Sequence, residues 1–150
     1  MSDLRDLYQQ TILDHTRKPR NKREMPDATA VADGHNPLCG DKIKLFLKIE
    51  NGVIVDISFL GNGCAISTAS ASMMTEAVKG KTPAEAQPLF ELFHAMLTCP
   101  MDQTPDIDAL DKLAVFSGVR EFPVRVKCAT LPWHTLQAAI KKEHHPVSTE

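Results

Sequence analysis

The chain has 150 residues, 43% of them apolar, with a formal charge of −2 and a pI near 6.3. That supports one hydrophobic core, read as a single domain over residues 1–150 that needs no metal or disulfide staple to fold. The charge leaves no basic footprint for nucleic acid, and the first thirty residues carry Asp3, Asp6 and Asp14 with no long apolar run. We therefore expect a cytoplasmic protein with neither a nucleic-acid nor a membrane partner.

Leu4, Leu7, Tyr8 and Ile12 recur at helical spacing, which predicts a first amphipathic helix over 3–16 with Ser2 as N-cap and Pro19 beyond its end. Residues 17–37 mix charges, Pro and Gly without a period and read as an irregular segment. Ile43, Leu45, Leu47 and Ile49 then alternate with Lys42, Lys44, Phe46 and Lys48, the pattern of a strand with one apolar face and one largely charged face. The three lysines read as a solvated face that could also dock an acidic partner. Asn51-Gly52 supplies a type I′ hairpin turn, and Val53, Val55, Ile57 and Phe59 return as the partner strand. A two-stranded hairpin is marginal alone, so a third strand is expected from residues 26–34.

Small residues with Ile66, Met73, Met74 and Val78 predict a closely packed helix over 65–79, stopped by Gly80. Thr82-Pro83-Ala84-Glu85 combines N-cap, Pro at N1 and capping-box Glu for a helix over 83–97 that Pro88 could split. A short helix over 106–116 closed by Gly118, and a terminal one over 128–142 before a polar tail, complete the chain. The pattern is α+β: a small antiparallel three-stranded sheet with helices packed on one face.

Chemistry concentrates at cysteines. Asn36-Pro37-Leu38-Cys39-Gly40-Asp41 places a thiol and a carboxylate two residues apart in a Pro/Gly bend. Cys64 follows Gly61-Asn62-Gly63 at the expected start of a helix, where the N-terminal field favours a thiolate. Cys128 follows Arg125 and Lys127 near the expected start of the last helix, where cations do the same. Three thiols and a carboxylate match the four-coordinate ligation zinc prefers, and thiolate-rich sites also hold iron–sulfur clusters. Separations of 25 and 64 residues are not a zinc-finger spacing. A cysteine can also be simply a small buried hydrophobe, which is how Cys99 in Leu97-Thr98-Cys99-Pro100 reads. His15, His94, His134 and His144-His145 read as surface or packing residues, and Met73-Met74 as core fillers.

Four segments in this order resemble the NifU/IscU-like iron–sulfur assembly scaffold family: Asp14-His15 with Pro19-Arg20-Asn21; residues 36–41; Gly61 through Ser67 continuing into Ala69–Thr75; and Phe122 through Leu131. The resemblance covers nearly the whole chain. A long interval between Cys64 and Cys128, Lys127 before the last cysteine, and no Leu-Pro-Pro-Val-Lys motif favour the SufU branch. The resemblance implies a SufE/NifU-like fold and a zinc-dependent sulfurtransferase, a sulfur acceptor more than a stand-alone catalyst. Its partner would be a PLP-dependent cysteine desulfurase of the SufS type, which it stimulates, with a SufBCD-type scaffold downstream. Residue by residue, Cys39 looks like the sulfur acceptor and, with Asp41, Cys64 and Cys128, a zinc ligand; Arg125 could steer the approach, stabilise a nearby thiolate or form a plain surface salt bridge. Two other readings stay open: a scaffold assembling an Fe–S cluster on the same ligands, and a structural zinc adaptor that only binds partners.

Overall fold

The structure, a computed structural model, describes residues 2–37, 39–141 and 147–148, and side chains over 6–37 and 39–141. The side chains of Ser2 and Leu4, on which the expected cap and the first apolar contact rest, the helix end at Lys142 and the histidines of the tail lie outside what is described.

The order is α1 (Ser2–Arg17), β1 (Ala30–Asn36), β2 (Asp41–Glu50), β3 (Val53–Asn62), α2 (Ala65–Val78), α3 (Pro83–Thr98), a 3₁₀ segment (Asp108–Glu121), α4 (Pro123–Lys141) and β4 (Val147–Ser148). β1, β2 and β3 form the antiparallel three-stranded sheet expected from the sequence, and the two residues of β4 lie parallel on the free edge of β1, giving the order β3-β2-β1-β4. The third strand begins later than expected, at Ala30. Residues 22–29 instead run beside and across the sheet: Lys22 bridges to Phe59, Arg23 pairs with Asp56, and Lys48 pairs with Asp27.

Asn51 and Gly52 adopt φ of 54° and 77°, as a type I′ turn requires. Two to three residues from the turn the pairing shifts between Lys48 and Ile49, so that Val55 is an extra residue in β3. This bulge corrects the simple alternation read from the sequence. Ile54, Ile57 and Phe59 are buried, whereas Val55 is 38% exposed. Phe46, on the face expected to be charged, is buried as well.

The core lies between the sheet and the helices. α4 lies across β1 and β2, and α2 packs on α4, α1 and β3. Trp133 is fully buried and stacks on Phe93, which meets Phe116 edge-on. Gly34 lets α4 approach, since a Cβ there would collide with Thr135 Oγ1. His15 is buried between α1 and α2, with Nδ1 2.7 Å from Ser72 Oγ.

Three helix boundaries differ from expectation. α3 runs unbroken through Pro88 because the carbonyl left without a partner, on Ala84, is at an exposed position where water can serve it. The segment after residue 107 is 3₁₀, breaks at Asp111 (φ 51°) and passes Gly118; buried Leu110, Leu113, Phe116 and Val119 hold it in place of an α ladder. α4 begins at Pro123, five residues before Cys128, and continues through Pro132. Pro123 occupies the first helical position, the place Pro favours.

Candidate metal centre

The site forms where the β1–β2 connection meets the starts of α2 and α4. Asn36 and Asp41 are cross-strand partners at the ends of β1 and β2, and both lie on the inward face with no exposure. The connecting loop carries Cys39, half-buried, held at its backbone by Cys39 N–H donating to Asn36 O at 3.3 Å. Gly40 bends the chain at φ 71°, a conformation suited to glycine.

The donor atoms of Cys39, Asp41 and Cys128 lie within 4.8 Å of one another. The Cys39 and Cys128 sulfurs are 3.2 Å apart. Cys64 sits beside this group, outside that mutual limit among the described residues, with its sulfur 4.0 Å from Asp41 Oδ2. Its backbone N–H donates to Asp41 Oδ1 at 2.7 Å, and its sulfur caps α2 by accepting from Ser67 N–H at 3.4 Å. The expectation of a thiol in the field of a helix N-terminus therefore matches its position. Gly63 makes room for the carboxylate, since a Cβ there would lie 2.8 Å from Asp41 Oδ1.

For Cys128 the expected environment is corrected. Because α4 starts at Pro123, Cys128 lies in the second turn, fully buried, and its sulfur faces Val124 O at 3.6 Å. Burial pushes this thiol's pKa up, and its contacts with Cys39 and Asp41 push the same way. Arg125 stays exposed at the rim; the Cys64 and Cys128 sulfurs raise its pKa further above the usual range.

The donor set fits a metal ion. Asp41 is a buried carboxylate with no ion pair among the described residues, and buried anions need a cation or a strong hydrogen-bond set. Two soft sulfurs and one hard oxygen converge there, with a third sulfur adjacent, the donor types zinc takes. Cys99 is elsewhere, at the end of α3, its sulfur 3.6 Å from Pro100 O. His94 and His134 belong to an aromatic cluster with Phe90.

Sequence reasoning did not single out Asn36 as a site residue. Its side chain, with no exposure, donates through Nδ2 to Asp41 Oδ2 at 3.3 Å and to Cys128 Sγ at 3.5 Å. No signal in the sequence set it apart, since the strand expected there ended at residue 34, and its inward place follows from the pairing with Asp41.

Known proteins resemble the chain over most of its length. It is 42% identical over 143 residues to the zinc-dependent sulfurtransferase SufU of Bacillus subtilis, covering 95% of each chain. It is 42% identical over 142 residues to the iron–sulfur cluster assembly scaffold protein IscU of Streptococcus pyogenes, covering 95% of this chain and 87% of that one. A crystal structure described as an iron–sulfur cluster assembly scaffold for the SUF system of Fervidobacterium islandicum superposes with a TM-score of 0.80 at 35% identity, over 87% of this chain and 93% of that one. No helix among the described residues is long and apolar enough to cross a membrane. Residues 7–129 match the NifU-like N-terminal domain, and the chain belongs to that family.

Proposed function

We propose that this chain, as one domain, accepts sulfur on Cys39 from a PLP-dependent cysteine desulfurase and passes it into iron–sulfur cluster assembly. The observation that carries this reading is the contrast between two touching thiols. Cys39 lies half-exposed on a loop, 3.2 Å from Cys128, which has no exposure at all. A partner can reach the first and not the second.

Cys39, Asp41, Cys64 and Cys128 would hold a zinc ion, which when bound keeps thiols deprotonated and shields them from oxidation. The residues themselves divide the work. Asp41 and Cys128 are buried, and Cys64 is fixed as the cap of α2, so three positions stay with the fold. The Cys39 thiolate attacks the outer sulfur of the donor's persulfide; the donor's S–S bond breaks, the donor leaves as a thiolate, and Cys39 carries the persulfide. The exposed Phe122 (59%) and Val124 (50%) next to Arg125 in sequence support contact with a protein partner at this rim. The 42% identity to a protein named a zinc-dependent sulfurtransferase supports the metal and the reaction class.

The test is metal analysis and intact mass of the purified protein before and after incubation with a cysteine desulfurase and cysteine. One zinc per chain and a sulfur-mass adduct lost in Cys39→Ala are expected, with Asp41→Ala retaining zinc more weakly. Unchanged sulfur acceptance by Cys39→Ala would sink the assignment. Iron with labile sulfide would instead make the same ligands the place where a cluster is built.

A further inference from the structure

We infer that Asn36 is a positioning residue that decides which thiol takes the sulfur, by latching Asp41 and Cys128 to the sheet while leaving Cys39 unlatched; this rests on the sulfur-acceptor reading above. The two sulfurs are 3.2 Å apart and differ in exposure, and exposure is not all that separates them. Their hydrogen-bond donors differ as well. One amide nitrogen of Asn36 reaches both Asp41 Oδ2, at 3.3 Å, and Cys128 Sγ, at 3.5 Å. Cys64 Sγ has the Ser67 N–H. Among the described residues no N–H donates to Cys39 Sγ, whose partner is the Cys128 sulfur.

The main chain of Asn36 complements its side chain. Its carbonyl accepts from Cys39 N–H, which fixes where the loop departs while the thiol above remains free to turn outward. For Cys128 to do the same it would break the Asn36 contact from inside α4, at a position with no exposure. Asn36 Oδ1 is buried with no partner, a cost that a latch through Nδ2 offsets and a mere space-filler would not. The amide also suits its neighbours electrically: it is a neutral donor between two groups that become anionic, where Asp would add a repelling charge and Leu would donate nothing.

The experiment is site-resolved alkylation of the full chain as purified, pulsed with N-ethylmaleimide and mapped by peptide mass, for wild type, Asn36→Leu and Asn36→Asp. Cys39 is expected to label well ahead of Cys128 in the wild type. Each variant should narrow the Cys39-to-Cys128 ratio about tenfold, while Cys99, outside the site, labels at an unchanged rate. After desulfurase and cysteine the sulfur-mass adduct should then spread from Cys39 to Cys128. An unchanged ratio in a folded variant overturns the latch, as does a matching rise at Cys99, which marks general loosening. Asn36→Asp keeps the shape and decides the matter if Asn36→Leu fails to fold; failure of both counts against a latch, which acts on order and not on folding. Labelling order is read without a desulfurase. A wild type that takes no sulfur but whose ratio collapses in the variants would therefore sink the acceptor reading and leave the latch.

Discussion

At Gly63 the space that a side chain would occupy is taken by the Asp41 carboxylate, 2.8 Å from where a Cβ would lie. That carboxylate is buried and held by the Cys64 N–H, so it has little freedom to move aside. Gly63→Ala should lower stability by about 1–2 kcal/mol and speed metal loss to a chelator about tenfold; thermal melting and chelator kinetics check the two effects separately. His15 makes a prediction about pH. Burial, and then Arg20, lower its pKa from 6.5, against smaller raising effects of Glu76 and Asp14, and Lys112 adds to the lowering. The folded protein thus binds this proton less readily than the unfolded chain. The stability its neutral ring gives is complete above pH 6.5 and drains away as pH falls below that value. Melting temperature should decline from pH 7 to pH 5, and His15→Gln should flatten part of the slope. His134, whose pKa is lowered by burial and by His94, adds a slope of the same sign.

α4 brings Cys128 to the sheet, and its distance from β1 is set by the contact of Gly34 with Thr135. Gly34→Val should cost about 2–3 kcal/mol and weaken zinc retention by moving the helix that carries Cys128, although position 34 touches no proposed ligand; melting and metal content after dialysis would show both. The elements most legible in the sequence were those whose signals are local. Thr82 and Glu85 form both bonds of the capping box, at 3.0 and 3.1 Å, and Asn51-Gly52 forms its turn. What escaped was set by neighbours. The bulge between Lys48 and Ile49 changes which residues of β3 face inward, and nothing in Val53–Phe59 alone marks it. The 3₁₀ segment is held by burial of its apolar residues, which carry no distinct period. The start of α4 was signalled by Pro123, but a reading anchored on Cys128 placed the helix too late. The same reading put Cys128 near a helix start beside Arg125 and Lys127, whose charges were expected to favour its thiolate, instead of in the second turn, where burial disfavours it. Cys39, Asp41, Cys64 and Cys128 were named together from the sequence, and the fold brings the first, second and fourth within 4.8 Å with Cys64 beside them, whereas Asn36 became visible only once the strands were paired.

Across the whole molecule, the site draws on the β1–β2 connection, α2 and α4, and a continuous apolar core lies beneath it. Trp133, Phe93, Phe116, Leu45, Leu47 and Ile57 are essentially inaccessible and lie within one continuous cluster. Chelation at neutral pH should therefore lower the melting temperature but leave the far-ultraviolet circular dichroism and a cooperative transition in place. Collapse of both on metal removal would favour a purely structural zinc module. The outer edge of β3 shows how the chain meets a different hazard. Ile54 exchanges hydrogen bonds with Lys81 and Gly80, Phe59 N–H donates to Asn21 O, and the bulge twists the strand between these two points. Little of that border is left for another chain to extend as a further strand. A second chain thus finds little of β3 to pair with, and solutions of the protein should stay monodisperse after chelation under reducing conditions, which light scattering would check.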